Sequence, residues 1–175
     1  MENDSCQRFL GAYTERHDRV LRHLVNLAQG SAVYSSWTVR CNERLQEYAE
    51  HLGALARLRP DLILVSPTKN EIIGIEDTVS YENHGNDSLG EPARTKIKRY
   101  DEWKARLLEH PDVASVQLHC FTVGSRGVMP QAAFSLLLQL QMGSPRTLKG
   151  VQEDVHRCAI RRLEDILRFP GISTS

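Results

Sequence analysis

Two apolar runs with acids at their ends constrain this chain more than anything else in it. Arg59-Pro60-Asp61-Leu62-Ile63-Leu64-Val65 and Ile72-Ile73-Gly74-Ile75-Glu76-Asp77-Thr78-Val79 each have the composition of a buried strand. An acid stands at the mouth of the first, and two more interrupt the end of the second. Between them, Ser66-Pro67-Thr68-Lys69-Asn70 has the makeup of a tight connection, so the runs are expected to pair as a hairpin. That pairing brings Asp61 and Glu76 together. Carboxylates are costly to remove from water, and two side by side repel unless a cation or a proton lies between them. A divalent metal is the natural candidate.

A length of 175 residues suits one domain with a sizeable core. Lysine plus arginine and aspartate plus glutamate both total 22, so no global field advertises a nucleic-acid partner. A local basic face survives that balance in Lys96, Lys98, Arg99 and Lys104, although those charges taken alone read better as a solvated helix surface. Cys6, Cys41, Cys120 and Cys158 are scattered without zinc-site spacing, which predicts reduced thiols in an intracellular protein. No apolar run is long enough to span a bilayer, and Met1-Glu2-Asn3-Asp4-Ser5 is too polar for a signal peptide.

Before the hairpin, helical spacing of Val20, Leu21, Leu24, Val25 and Ala28 predicts a helix over 13–28 with Thr14 as its N-cap. His17 on that helix is expected at the surface or in a cap. Val33 to Val39 reads as a short edge strand, and Asn42 to Ala56 as a second helix with Leu45, Tyr48, Ala49, Leu52 and Leu55 inward. After the hairpin, Glu82 to Ser88 has loop composition, and Leu89 to Glu109 reads as a long central helix. Lys96, Tyr100, Trp103 and Leu107 share one stripe of it, which aims a lysine toward the interior. Either it snorkels to the sheet edge or it meets an acid there.

Val113 to Val123 predicts another strand, and Asp112 is turn chemistry. Gly124-Ser125-Arg126-Gly127 closes that strand with backbone freedom around an arginine. Two helices follow, over 132–140 and about 148–169. The pattern predicts an α/β fold: a mixed central sheet flanked by helices, with a C-terminal helical pair. It reads as one domain over 1–175, with a core of about 13–127 and C-terminal helices over about 129–169.

If Asp61, Glu76 and Lys96 converge, the carboxylates can hold Mg²⁺ or Mn²⁺ in an oxygen shell that leaves room for water and a phosphodiester oxygen. The lysine then neutralises charge that builds on phosphorus oxygens, so the set fits phosphodiester hydrolysis.

Those residues carry a resemblance. Pro60-Asp61 followed by a strand ending Glu76-Asp77-Thr78 resembles the PD-(D/E)xK nuclease superfamily, with Thr78 where its last lysine usually stands. More closely, Arg59-Pro60-Asp61-Leu62, Ile75 to Glu82, Lys96-Ile97-Lys98-Arg99-Tyr100 and Val123-Gly124-Ser125-Arg126-Gly127 resemble the restriction-like endonuclease domain of site-specific non-LTR retrotransposons. Arg16-His17-Asp18-Arg19-Val20-Leu21 is similar to the lead-in helix of that group. The resemblance implies a restriction-endonuclease-like core, with Asp61 and Glu76 as metal ligands and Lys96 as the catalytic lysine moved onto the next helix.

Asp77 is a further supporting acid, and Lys98, Arg99 and Lys104 of the basic face are expected in nucleic-acid contact. In supporting roles the resemblance implies Glu82 and Tyr100, and it gives Arg126 either phosphate contact or a structural role. It also implies Mg²⁺ or Mn²⁺ as cofactor, DNA as partner with RNA left open, a nuclear location in a eukaryote, and a homodimer where paired cuts are made. Asp77 stands at a position that is usually apolar, so the catalytic acid is either Glu76 or Asp77. Strand alternation puts Asp77 with Ile73, Ile75 and Val79, and Glu76 with Gly74 and Thr78. Glu76 is preferred because small neighbours leave room for a hydrated metal. Ser80 replaces a frequent proline and Arg99 a common lysine. The alternatives are a catalytically silent nucleic-acid-binding module on the same fold and an α/β protein-interaction domain.

Overall fold

The computed structural model describes the backbone over residues 3–80 and 90–167, and side chains over 14–79 and 94–161. Its elements in order are α1 (Asn3–Gly30), β1 (Thr38–Cys41), α2 (Ala49–Leu52), β2 (Leu62–Val65), β3 (Glu71–Ser80), α3 (Gly90–Lys98), α4 (Asp101–Leu108), β4 (Ser115–Gly124), α5 (Gln131–Gln139) and α6 (Pro145–Leu167). The four strands form one mixed sheet in the order β1-β2-β3-β4. β1, β2 and β3 pair antiparallel, while β4 runs parallel to β3. Among the described residues no helix is long and apolar enough to cross a membrane.

Alternation along the two central strands explains the layers. Leu62 and Leu64 on β2, Ile73 and Ile75 on β3, and Phe121 and Val123 on β4 meet Val20, Leu21 and Leu24 of α1, Leu137 of α5 and Val155 of α6. Ile63, Val65, Ile72 and Val116 face the other way, onto Tyr100, Trp103 and Leu107 together with Leu45, Tyr48 and Leu52. A two-residue period thus sorts one apolar run into two cores. The hairpin turn closes as the Lys69 N–H donates to the Ser66 carbonyl at 2.8 Å. The Asn70 carbonyl then accepts from Ala114 and Ser115, fixing the start of β4.

Several boundaries differ from the sequence expectation. α1 starts at Asn3, so Thr14 lies inside the helix rather than capping it. Residues 32–34 form a 3₁₀ turn begun by Ser31, and the edge strand occupies 38–41 instead of 33–39. The helix expected over 42–56 is a single α turn between 3₁₀ segments, because Gly53 takes φ +55 and breaks it. The long helix expected over 89–109 is two, α3 and α4. Tyr100 at their junction has φ −102 and ψ 1, and its hydroxyl is held by the Arg59 carbonyl at 3.2 Å. The inward positions Leu163 and Ile166 and the loop 82–88 lie outside the described side chains.

α1 is fastened to α6 by Asp154, which takes a two-point pair from Arg19 at 3.0 and 3.2 Å and a contact from His23 at 2.9 Å. The Gly-rich loop after β4 packs on α6 as well. Gly127 has φ +81, and a Cβ there would lie 2.6 Å from the His156 Cα and 2.8 Å from the Val155 carbonyl oxygen. Both the backbone conformation and the space exclude a side chain. Gly127→Ala is therefore expected to lose about 3 kcal/mol of stability in urea unfolding. A loss under about 1 kcal/mol would show that the loop is free to move off α6.

Candidate active site

The hairpin does bring the acids together. Leu62 pairs with Ile75, so one step further Asp61 comes opposite Glu76. The Asp77 N–H donates to Asp61 Oδ2 at 2.7 Å, and the Asp61 carbonyl accepts from Asn42 at 2.9 Å, so both ends of Asp61 are fixed. Pro60 lies against Gly74, where an added Cβ would meet Pro60 Cγ at 3.5 Å and Leu118 Cδ2 at 2.8 Å. This corrects the expected open space beside Gly74: Leu118 and Pro60 fill it.

Lys96, from the first helix after the hairpin, reaches the same point. Its Nζ lies 3.6 Å from Glu76 Oε2 and 3.9 Å from Asp61 Oδ2, and it donates to the Asp77 main-chain carbonyl. One ammonium is therefore surrounded by three oxygens from three residues. Arg99 Nη2 is also 3.6 Å from Glu76 Oε2 and 3.3 Å from the Tyr100 hydroxyl. Thr78, where the superfamily lysine would stand, is buried and lies 3.4 Å from Cys120 Sγ.

Glu76 and Asp77 leave the strand on opposite faces, Glu76 toward α3 and Asp77 toward α1. Glu76 is 3% exposed and Asp77 0%. Among the described residues, Glu76 Oε1 and both Asp77 carboxylate oxygens have no hydrogen-bond partner. What faces Asp77 is His17, whose Nε2 lies 4.0 Å from Asp77 Oδ2 and 3.4 Å from Asp61 Oδ2. The expectation of a surface or capping His17 is corrected. The signal was present in the sequence, since His17 is in phase with Val20, Leu21 and Leu24, and that phase turns it toward the sheet.

The remaining candidates are spread around this centre. Lys98 helps line a cleft of about 400 Å³ with Arg94, Ile97 and Cys120. Arg126 is exposed on the loop after β4, where its carbonyl accepts from His156 at 2.8 Å. Arg16, the neighbour of His17, donates to the Ser125 carbonyl of that loop. No described contact brings Lys104 to the acids; its charge acts on His119. Glu82 lies outside the described residues.

The electrostatics follow from burial. Burial pushes the Asp77 carboxyl up to about 7, against the opposing charge of His17. Burial also raises Glu76, while the Tyr100 hydroxyl and the Lys96 and Arg99 charges pull the other way. For Asp61 burial raises the pKa, but His17, the Asp77 N–H and Lys96 together outweigh it and leave the carboxyl below its ordinary value. His17, beside Asp61 and Asp77, is raised from 6.5 to about 9.

Chemically the point is suited to a hard cation: two carboxylates and a main-chain carbonyl already surround one positive charge, and Glu76 Oε1 is unpartnered. Among the described residues no three His, Cys, Asp or Glu groups stand in metal-holding geometry. Neither a protein-family model nor a curated protein matches the chain significantly.

A histidine raised in the folded state stabilises fully below its unfolded pKa and loses that contribution as pH rises through the folded one. With chelator present, the His17 contribution to stability is expected to fall between pH 6.5 and about 9. His17→Ala should flatten that stretch of the denaturation profile. An unchanged slope in the variant would reject the assignment.

Proposed function

We propose that the chain is a metal-dependent endonuclease that hydrolyses DNA phosphodiester bonds, on a restriction-endonuclease-like core related to the target-nicking domain of non-LTR retrotransposons. The observation that carries this reading is the convergence of Asp61, Glu76 and the Asp77 carbonyl on one positive centre supplied from the next helix. An acid at the start of one strand, an acid near the end of its partner and a lysine from the following helix is the arrangement the sequence resemblance implies.

In this reading Asp61 and Glu76 would hold Mg²⁺ or Mn²⁺, whose chemistry there would be to acidify water and polarise a phosphate oxygen. Lys96 keeps a positive charge beside the attacked phosphate, where negative charge grows in the transition state. Arg99 holds the Glu76 carboxylate from the outside, and Asp61, with 15% of its side chain exposed, keeps the site open to solvent. Lys98, Lys104 and Arg126 supply phosphate contacts along the DNA, as does the exposed part of Arg99.

A second reading is a silent nucleic-acid-binding module, and it is favoured by the same ammonium: a lysine seated among the oxygens can stand permanently in place of a metal. The two readings differ in linkage, because only an intact carboxylate site gains thermal stability from Mn²⁺.

The test is nicking of supercoiled plasmid with Mg²⁺ or Mn²⁺ by the parent chain beside Asp61→Ala, Glu76→Ala and Lys96→Ala. Nicking is expected from the parent, with a loss of at least about 100-fold in each variant. Equal nicking by parent and Asp61→Ala would overturn the endonuclease assignment. DNA binding should weaken steeply with salt through counterion release, and a flat salt response would remove nucleic acid as the partner.

A further inference from the structure

The endonuclease reading assigns nothing to the residue that reaches the acids from the opposite side of the sheet. Lys96 serves the α3 face of β3; the α1 face has only His17 in contact with the acids among the described residues. Asp77 feels the charge of Asp61, and its carboxyl is wholly buried without a hydrogen-bond partner among the described residues. Asp61 is held at its carbonyl by Asn42 and at Oδ2 by the Asp77 N–H, and His17 reaches the same Oδ2 from α1 at 3.4 Å.

The His17 ring sits on a firmly held support. Val20, Leu21 and Leu24 bury the same face of α1, Arg19 and His23 both grip Asp154 on α6, and Arg16 holds the Ser125 carbonyl. His17 Nδ1 is 3.5 Å from Asp18 Oδ1, so the second ring nitrogen also has an acceptor near it. The ring is only 28% exposed, although it belongs to a polar stretch of α1.

We infer that His17 is a positioning residue of this site: from α1 its ring holds the Asp61 carboxylate directly, so that Asp61 and Glu76 present their oxygens to one cation. The inference rests on the endonuclease reading for its purpose, and on the contacts of His17 with both aspartates for its geometry. A merely structural histidine would stabilise the fold and leave cation binding and turnover untouched.

The experiment compares the parent chain with His17→Ala, His17→Gln and His17→Ala/Asp77→Asn. Thermal unfolding without metal reports stability, the Mn²⁺ dependence of the midpoint reports cation affinity, and plasmid nicking gives kcat and KM separately. His17→Ala is expected to weaken Mn²⁺ binding and lower kcat by about 10- to 100-fold, with KM for DNA unchanged. His17→Gln, which keeps a donor on the same helix position, should recover part of both. Adding Asp77→Asn should restore the metal-free stability of His17→Ala without restoring kcat.

A folded His17→Ala with parental Mn²⁺ affinity and kcat overturns the inference and leaves the endonuclease reading standing. Recovery of kcat together with stability in the double variant also overturns it, since His17 would then serve only to neutralise Asp77. If the parent binds Mn²⁺ but does not nick, the endonuclease reading fails, and the Mn²⁺ affinities alone still decide the role of His17. A parent that binds no Mn²⁺ overturns both.

Discussion

Two consecutive acids buried in one strand govern this structure. Glu76 and Asp77 have no room to turn to solvent, and a strand sends their side chains to opposite faces. Each face must then supply its own positive or hydrogen-bonding group, because an uncompensated buried carboxylate costs several kcal/mol even after relaxation. Lys96 and Arg99 come to one side and His17 to the other. The helices on the two faces of the sheet are therefore more than covers for apolar surface; each carries a group that the central strand requires.

Burial alone gives this arrangement no net stability. Removing a carboxylate from water is repaid only where partners are well placed, and here three of the four oxygens on Glu76 and Asp77 lack a hydrogen bond among the described residues. A fold selected only for stability would put apolar residues at 76 and 77, as it does at 72, 73 and 75. Incompletely satisfied carboxyls retained at the sheet end are what the proposed cation site would require.

Much of this was legible in the sequence. The hairpin follows from two apolar runs and a Ser-Pro-Thr-Lys-Asn connection. The opposition of Asp61 and Glu76 follows from the hairpin, and the inward aim of Lys96 from its stripe with Tyr100, Trp103 and Leu107. The failures have local causes. Gly53 fragments a segment whose apolar spacing alone suggests a continuous helix, and no proline or glycine marks the break at Arg99 and Tyr100, which tertiary contact to Arg59 accompanies. His17 was misjudged by residue type, although its helical phase placed it correctly. The filling of the space at Gly74 by Leu118 depends on strand register between distant segments, which periodicity within either one does not reveal.

The adjacency of Arg16 and His17 has a mechanical consequence. One grips the loop that bears Arg126, the other the carboxylate of Asp61, and both sit within a single turn of a helix clamped to α6. That turn works as a jig: the loop at the end of β4 and the acid at the start of β2 keep a set spacing even though 65 positions separate Asp61 from Arg126 along the chain. Under the proposed endonuclease reading, a backbone phosphate seated on the loop would meet the acids at a fixed offset, and distance along the nucleic acid would be set by one rigid helical turn rather than by a flexible hinge.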